Sequence, residues 1–212
     1  FTLAYCWTAI FSIGLHQFYL AEYGVPYYIG GSDDLAYEKT ALLARELPIF
    51  NYAALLNINL YELNLQQVRG SIGYAYLVGL IVRLGDGLGG YHTILPRIFN
   101  GFLLGMLSIA TYRVALRWQI DRTYAFWAAL ATGLLPIMTY TSAHIFRDTF
   151  MSLMMMLTVL LWAPTTHQDA FSRAKRWLVT ILFSVITYQI RPLQAGILVI
   201  VALVADVFVT AR

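Results

Sequence analysis

Charge is scarce in this chain of 212 residues: only 12% are Asp, Glu, Lys or Arg. A soluble domain carries about a quarter, so an ordinary soluble globule is excluded. Cysteine is scarcer still. Cys6 is the only one, which rules out an intrachain disulfide and any cysteine-built metal site. The basic residues stand singly between apolar runs, so there is no nucleic-acid-binding stripe. Internal repeats, low-complexity tracts and a soluble domain are also missing. The first apolar segment lacks a basic flank and a small-residue cleavage site. It reads as a retained membrane anchor rather than a cleaved signal peptide. The chain opens at Phe1 rather than Met, and its natural N-terminus is expected to lie upstream.

Hydrophobic residues make up 59% of the chain, and the mean hydropathy is +0.65. Aromatics reach 15%, with 15 Tyr and 5 Trp, as interfacial belts require. The expectation is an all-α, integral, multi-pass membrane protein. Spans are predicted over 1–19, 94–116, 123–143, 149–163, 177–190 and 193–210, about six in all. The chain 1–212 forms one transmembrane module, expected to be incomplete at both ends, with a first outer loop over about 20–92.

That loop opens on Gly30-Gly31-Ser32-Asp33-Asp34. Paired carboxylates are costly beside a bilayer and need a reason. Leu35, Ala36, Leu42, Leu43 and Leu47, interspersed with Glu38, Lys39, Arg45 and Glu46, predict an interfacial helix with Ser32 or Asp33 as its N-cap. Pro48 ends it. Segment 71–84 is apolar but about 14 residues long, against about 20 for a full span. It reads as a second interfacial helix; the alternative is a short tilted span.

Basic residues favour the cytoplasmic side. If 71–84 does not cross, the clusters Arg113-Arg117-Arg122 and Arg173-Lys175-Arg176 both fall inside. Asp33-Asp34, Arg97, His144, Arg147-Asp148 and Arg191 then share the outer face. Each has a plain explanation: a helix cap, a salt bridge, or an arginine snorkelling to headgroups. Together, three carboxylates and three arginines suit a site that handles a lipid-linked phosphate. The acids supply a general base and hard oxygen ligands for a divalent cation. The arginines stabilise a phosphate leaving group.

A first span followed by Ser32-Asp33-Asp34-Leu35-Ala36-Tyr37 and Ala41 resembles the first acidic motif of the GT-C superfamily of membrane glycosyltransferases. The similarity is to their protein-mannosyltransferase and aminoarabinose-transferase-like branch. Gly90-Tyr91 leading to Arg97, Leu135-Pro136 leading to Arg147-Asp148, and Ile190-Arg191-Pro192 resemble further stretches of that branch. Two departures stand out. Relatives usually have more spans and often a soluble C-terminal domain, and their first motif is often Asp-Glu.

The resemblance implies transfer of a sugar from a polyprenyl-phosphate donor to an acceptor at the outer face of a membrane, expected to be a bacterial inner (plasma) membrane. It implies Asp33 or Asp34 as the catalytic base. Arg147, Arg191, Arg97 and His144 would hold the donor phosphate and lipid carrier. Asp34 and Asp148 would ligate a divalent metal ion (Mg or Mn), if one is used. The alternatives are a polysaccharide polymerase or ligase with lipid-linked donors, and a transporter or flippase.

Overall fold

The computed structural model describes residues 1–28, 33–47, 71–90, 92–164 and 170–210. Among them every regular element is a helix, and there is no strand. In chain order these are α1 (Thr2–Tyr23), α2 (Asp33–Glu46), α3 (Ile72–Gly87), α4 (Ile94–Arg117), α5 (Arg122–Leu134), α6 (Pro136–Ser142), α7 (Asp148–Trp162), α8 (Ala170–Tyr188) and α9 (Pro192–Thr210). Among the described residues one helix, α4, is both long and apolar enough to cross a membrane; α7 and the stretch Pro192–Phe208 are shorter apolar helices.

The helix ends follow local chemistry. α1 stops at Gly24, whose φ of 70° is left-handed and whose N–H returns to the Leu20 carbonyl, a glycine-favouring C-terminus. α5 starts on Asp121, whose carboxylate accepts from the Thr123 N–H at 2.8 Å. That bond holds the Asp121 carboxyl below the usual carboxylate range. The single helix predicted over 123–143 is in fact two. Leu135 has ψ 128°, because a residue before proline is pushed out of the helical region. Pro136 then opens α6, where its missing N–H costs nothing.

Contacts fix the helix directions. His16 stacks near His92, at 5.2 Å between ring centroids, while Gly101 backs onto Thr8 and Gly105 onto Phe1. α1 and α4 are therefore antiparallel. α5 and α6 return along them, with the Ser108 hydroxyl donating to the Ala129 carbonyl. α7 descends beside α4 through a core of Leu103, Leu104, Leu107, Leu153 and Met154. α8 rises and α9 descends against it. One end of the bundle thus collects the start of α4, the turn 143–147, the start of α7 and the turn 189–191.

α2 and α3 lie over that end. Tyr37 meets Tyr74 edge-on at 5.2 Å, Ala41 and Ala44 meet Gly79, and the Arg83 guanidinium donates to the Ala44 and Arg45 carbonyls. The order of these contacts makes the two helices parallel. Their shared core takes in Ile145 and Ile190, so the pair is seated on both turns.

The α2–α3 approach is close. A Cβ on Gly79 would lie 2.9 Å from the Ala44 Cβ and 3.1 Å from the Ala41 carbonyl oxygen. Gly79→Val is expected to push the helices apart and destabilise the protein by about 1–3 kcal/mol, the usual cost of overpacking. Thermal unfolding in detergent measures it; an unchanged midpoint would show that the pair can part freely.

Candidate functional site

α2 carries Asp33 and Asp34 in its first turn. The Asp33 side chain lies outside the described set. Asp34 is buried. Its Oδ1 accepts from the Ile145 N–H at 2.8 Å, and its Oδ2 faces Arg97 at 3.5 Å. Arg97 is fully buried and also donates to the Pro26 carbonyl at 2.5 Å. The sequence suggested an arginine reaching for a phosphate at the surface. The structure instead seats Arg97 inside, opposite Asp34.

The turn 143–147 is gripped from several sides. Asn100, fully buried on α4, donates from Nδ2 to the His144 carbonyl at 2.7 Å and the Phe146 carbonyl at 3.0 Å. Its Oδ1 accepts from the Tyr74 hydroxyl at 3.0 Å. One amide therefore ties α4, α3 and the turn together. Burial above all pushes the Tyr74 phenol up, and the charges of Asp34 and Asp148 add to this, while its bond to Asn100 opposes. Tyr74 thus lies within the field of both carboxylates.

His144 is buried. Its Nδ1 lies 2.8 Å from the Tyr140 carbonyl, which can only accept, so Nδ1 carries the proton. In the neutral ring Nε2 is then the acceptor for the Tyr19 hydroxyl, at 3.2 Å. The ring stacks on Phe146 at 13° between planes. With both nitrogens engaged, His144 braces the turn.

Asp148 begins α7, and Arg191 lies just before α9. They form an ion pair at 3.3 Å, with side chains 51% and 43% exposed. Arg147 is half-buried beside them. The turn that carries Arg191 is held to α3, where the Gly73 N–H donates to the Gln189 carbonyl at 3.1 Å. An apolar groove of about 280 Å3 runs from this junction. Gly73, Leu77 and Leu80 of α3, Phe150 of α7, and Ile186 and Ile190 line it.

The cation site expected at Asp34 and Asp148 falls on carboxylates that already have protein partners. Asp34 is engaged by a peptide N–H and an arginine, and Asp148 by an arginine. Among the described residues no group of three His, Cys, Asp or Glu could hold a metal. Asn100 and Tyr74 are the residues that sequence reasoning missed. A lone amide inside the apolar run 94–116 was the available signal, since polar groups at such positions are expensive and usually partnered.

No family model, curated protein or solved structure matches this chain.

Proposed function

We propose that the chain is a multi-pass membrane glycosyltransferase module that moves a sugar from a polyprenyl-phosphate donor to an acceptor at the outer face. The observation that carries this reading is the gathering of Asp33, Asp34, Arg97, Arg147, Asp148 and Arg191 at one end of the bundle, with the basic segments 113–122 and 173–176 at the other. Exposed apolar side chains such as Ile10, Ile137, Leu178 and Val207 along the helices support a lipid environment. α3 runs beside α2, whose charged residues keep it from crossing a bilayer. That favours an interfacial α3.

In this reading the acceptor hydroxyl gives its proton to a carboxylate as its oxygen bonds to the anomeric carbon. The bond from that carbon to the donor phosphate breaks, and its electron pair leaves on the phosphate oxygen. Asp34 is held by Ile145 and Arg97, so the base role passes to Asp33. Arg191 exchanges part of its contact with Asp148 for the departing phosphate, with Arg147 beside it. The apolar groove that ends at Gln189 and Ile190, next in the chain to Arg191, suits the donor's hydrocarbon chain. The transporter reading loses its best support, because Asp206 is paired with Arg173 at 2.6 Å and with the Trp177 indole at 3.2 Å, far from the site.

The test is turnover in proteoliposomes with labelled polyprenyl-phosphate sugars. Label should move to acceptor and free polyprenyl phosphate should appear. Correctly inserted protein that turns over no such donor would overturn the assignment, and a growing chain of repeats would mark a polymerase.

Arg191→Ala is expected to raise KM for the donor and lower kcat, each by roughly tenfold, since a charge-assisted contact is worth about 1.5–3 kcal/mol. Arg191→Lys should recover only part, because a point charge cannot replace the planar fork. Donor kinetics decide this; unchanged constants would remove Arg191 from the site.

Topology is tested by single cysteines in a Cys6→Ser background. Leu193→Cys should react with an impermeant reagent from outside, and Gln119→Cys should not. Both positions are exposed. Labelling of Gln119→Cys from outside would mean that α3 crosses.

A further inference from the structure

The flank where α1 and α6 end carries a knot of aromatic rings. Tyr19 lies at its centre and is buried. Its ring centroid is 6.0 Å from that of Tyr23, 6.3 Å from Tyr28 and 5.9 Å from His144. Its hydroxyl meets His144 Nε2 at 3.2 Å and lies within reach of the Tyr140 side chain. Around this hub the outer rings open to the surface. Tyr28 is 46% exposed, and Tyr23 is half-buried. These two meet at 63° with 6.1 Å between centroids, so they form a corner, one ring as floor and the other as wall.

The knot borders the candidate site. His144 joins Tyr19 to Ile145, whose N–H donates to Asp34. Tyr19 stands in the field of Asp34 and Arg97, and Tyr28 precedes Asp33 by five residues. Different helices build this flank and the apolar groove: α1 and α6 here, α3, α7 and α8 there. An interfacial belt spreads its aromatics round the perimeter; here the rings touch one another beside a buried ion pair. A pyranose ring has a face of C–H bonds and a rim of hydroxyls. Tyrosine offers an apolar ring face and a polar tip, so a corner of two tyrosines can meet both.

We propose that Tyr23 and Tyr28 form the acceptor platform, and that the acceptor is a carbohydrate whose pyranose ring packs on Tyr28. The proposal rests on the transferase reading above and names the substrate class of that same site. The donor then enters along the groove and the acceptor from the α1 flank.

The test is saturation-transfer NMR on the full chain in phosphatidylcholine nanodiscs, with methyl gluco-, galacto- and mannopyranoside as probes. Saturation should concentrate on the C–H protons of one sugar face. Tyr28→Ala should cut it roughly fivefold, as loss of an aromatic stacking partner does. Tyr28→Phe should keep most of it. Tyr28→Leu should lose as much as alanine, since leucine keeps bulk and apolarity but offers no ring face. Tyr124→Ala, at the exposed start of α5, should leave it unchanged. Tyr28 is exposed, so its variants are expected to fold. No saturation of any of the three sugars, equal losses in Tyr28→Ala and Tyr124→Ala, or a full signal in Tyr28→Leu would overturn the proposal. The proteoliposome assay reports separately on the reading beneath it. Donor turnover without sugar contact removes the platform alone, whereas sugar contact without donor turnover removes the transferase and the acceptor role with it.

Discussion

Asp34→Asn is expected to loosen the site end of the bundle, and Asp33→Asn to leave it folded but inactive. Asp34 is a buried carboxylate facing a fully buried arginine. An amide can still accept the Ile145 N–H, but it carries no charge to offset Arg97. Removing one partner of a buried pair costs about 3–5 kcal/mol, because the other loses the counter-charge that it faced. The melting midpoint of Asp34→Asn should fall accordingly. Adding Arg97→Gln should recover part of the loss, since the buried positive charge that faced Asp34 is then gone. Asp33→Asn should melt like the parent and lose transfer by about 10²–10⁴-fold, as general-base removal does. Opposite behaviour, with Asp34→Asn stable but dead and Asp33→Asn active, would exchange the two roles.

Asn100→Leu should be nearly as severe. Leucine has a similar volume, so little cavity forms. The penalty is electrostatic. The carbonyls of His144 and Phe146 lose a donor, and the Tyr74 hydroxyl loses an acceptor. Each buried group left unsatisfied costs about 1–3 kcal/mol, which sums to about 3–5 kcal/mol once the turn relaxes. The turn would then release the start of α7 and with it Asp148. Loss of stability and a rise in donor KM should appear together. A stable Asn100→Leu protein with unchanged kinetics would mean that the turn holds itself.

Those two residues also mark where the sequence was legible and where it was not. The helices were visible because apolar runs and their breaks are local. Pro192 opens α9 as local rules say, while the cap expected at Ser32 or Asp33 lies outside the described residues. Leu135-Pro136 carried a readable signal of a break, and the length of the apolar run masked it. The sharing of one end by Asp34, Arg97, Asp148 and Arg191 follows from alternating helix directions, which the basic clusters already implied. What the sequence did not disclose is orientation within that end. Nothing local says that Asp34 turns inward to a peptide N–H while Asp148 stays at the surface. Register between distant helices decides that. His144 looked like a candidate ligand by residue type, yet its surroundings of Tyr19, Tyr140 and Phe146 are set by packing between α1, α6 and the turn.

The contact between Asp34 and Ile145 bridges 111 residues of chain. That separation has a consequence for biogenesis. Synthesis proceeds at about 5–20 residues per second, so Asp34 leaves the ribosome roughly 6–20 s before its peptide partner. Arg97, 63 residues on, arrives between them. Until Ile145 follows, α2 is seated on α3 alone and the Asp34 carboxylate lacks its peptide partner. A nascent chain halted before residue 145 should keep the start of α2 open to protease, and release past the turn should protect it. The start of α2 thus completes its contacts only after α4, α5 and α6 have been made, and before α7, α8 and α9 follow.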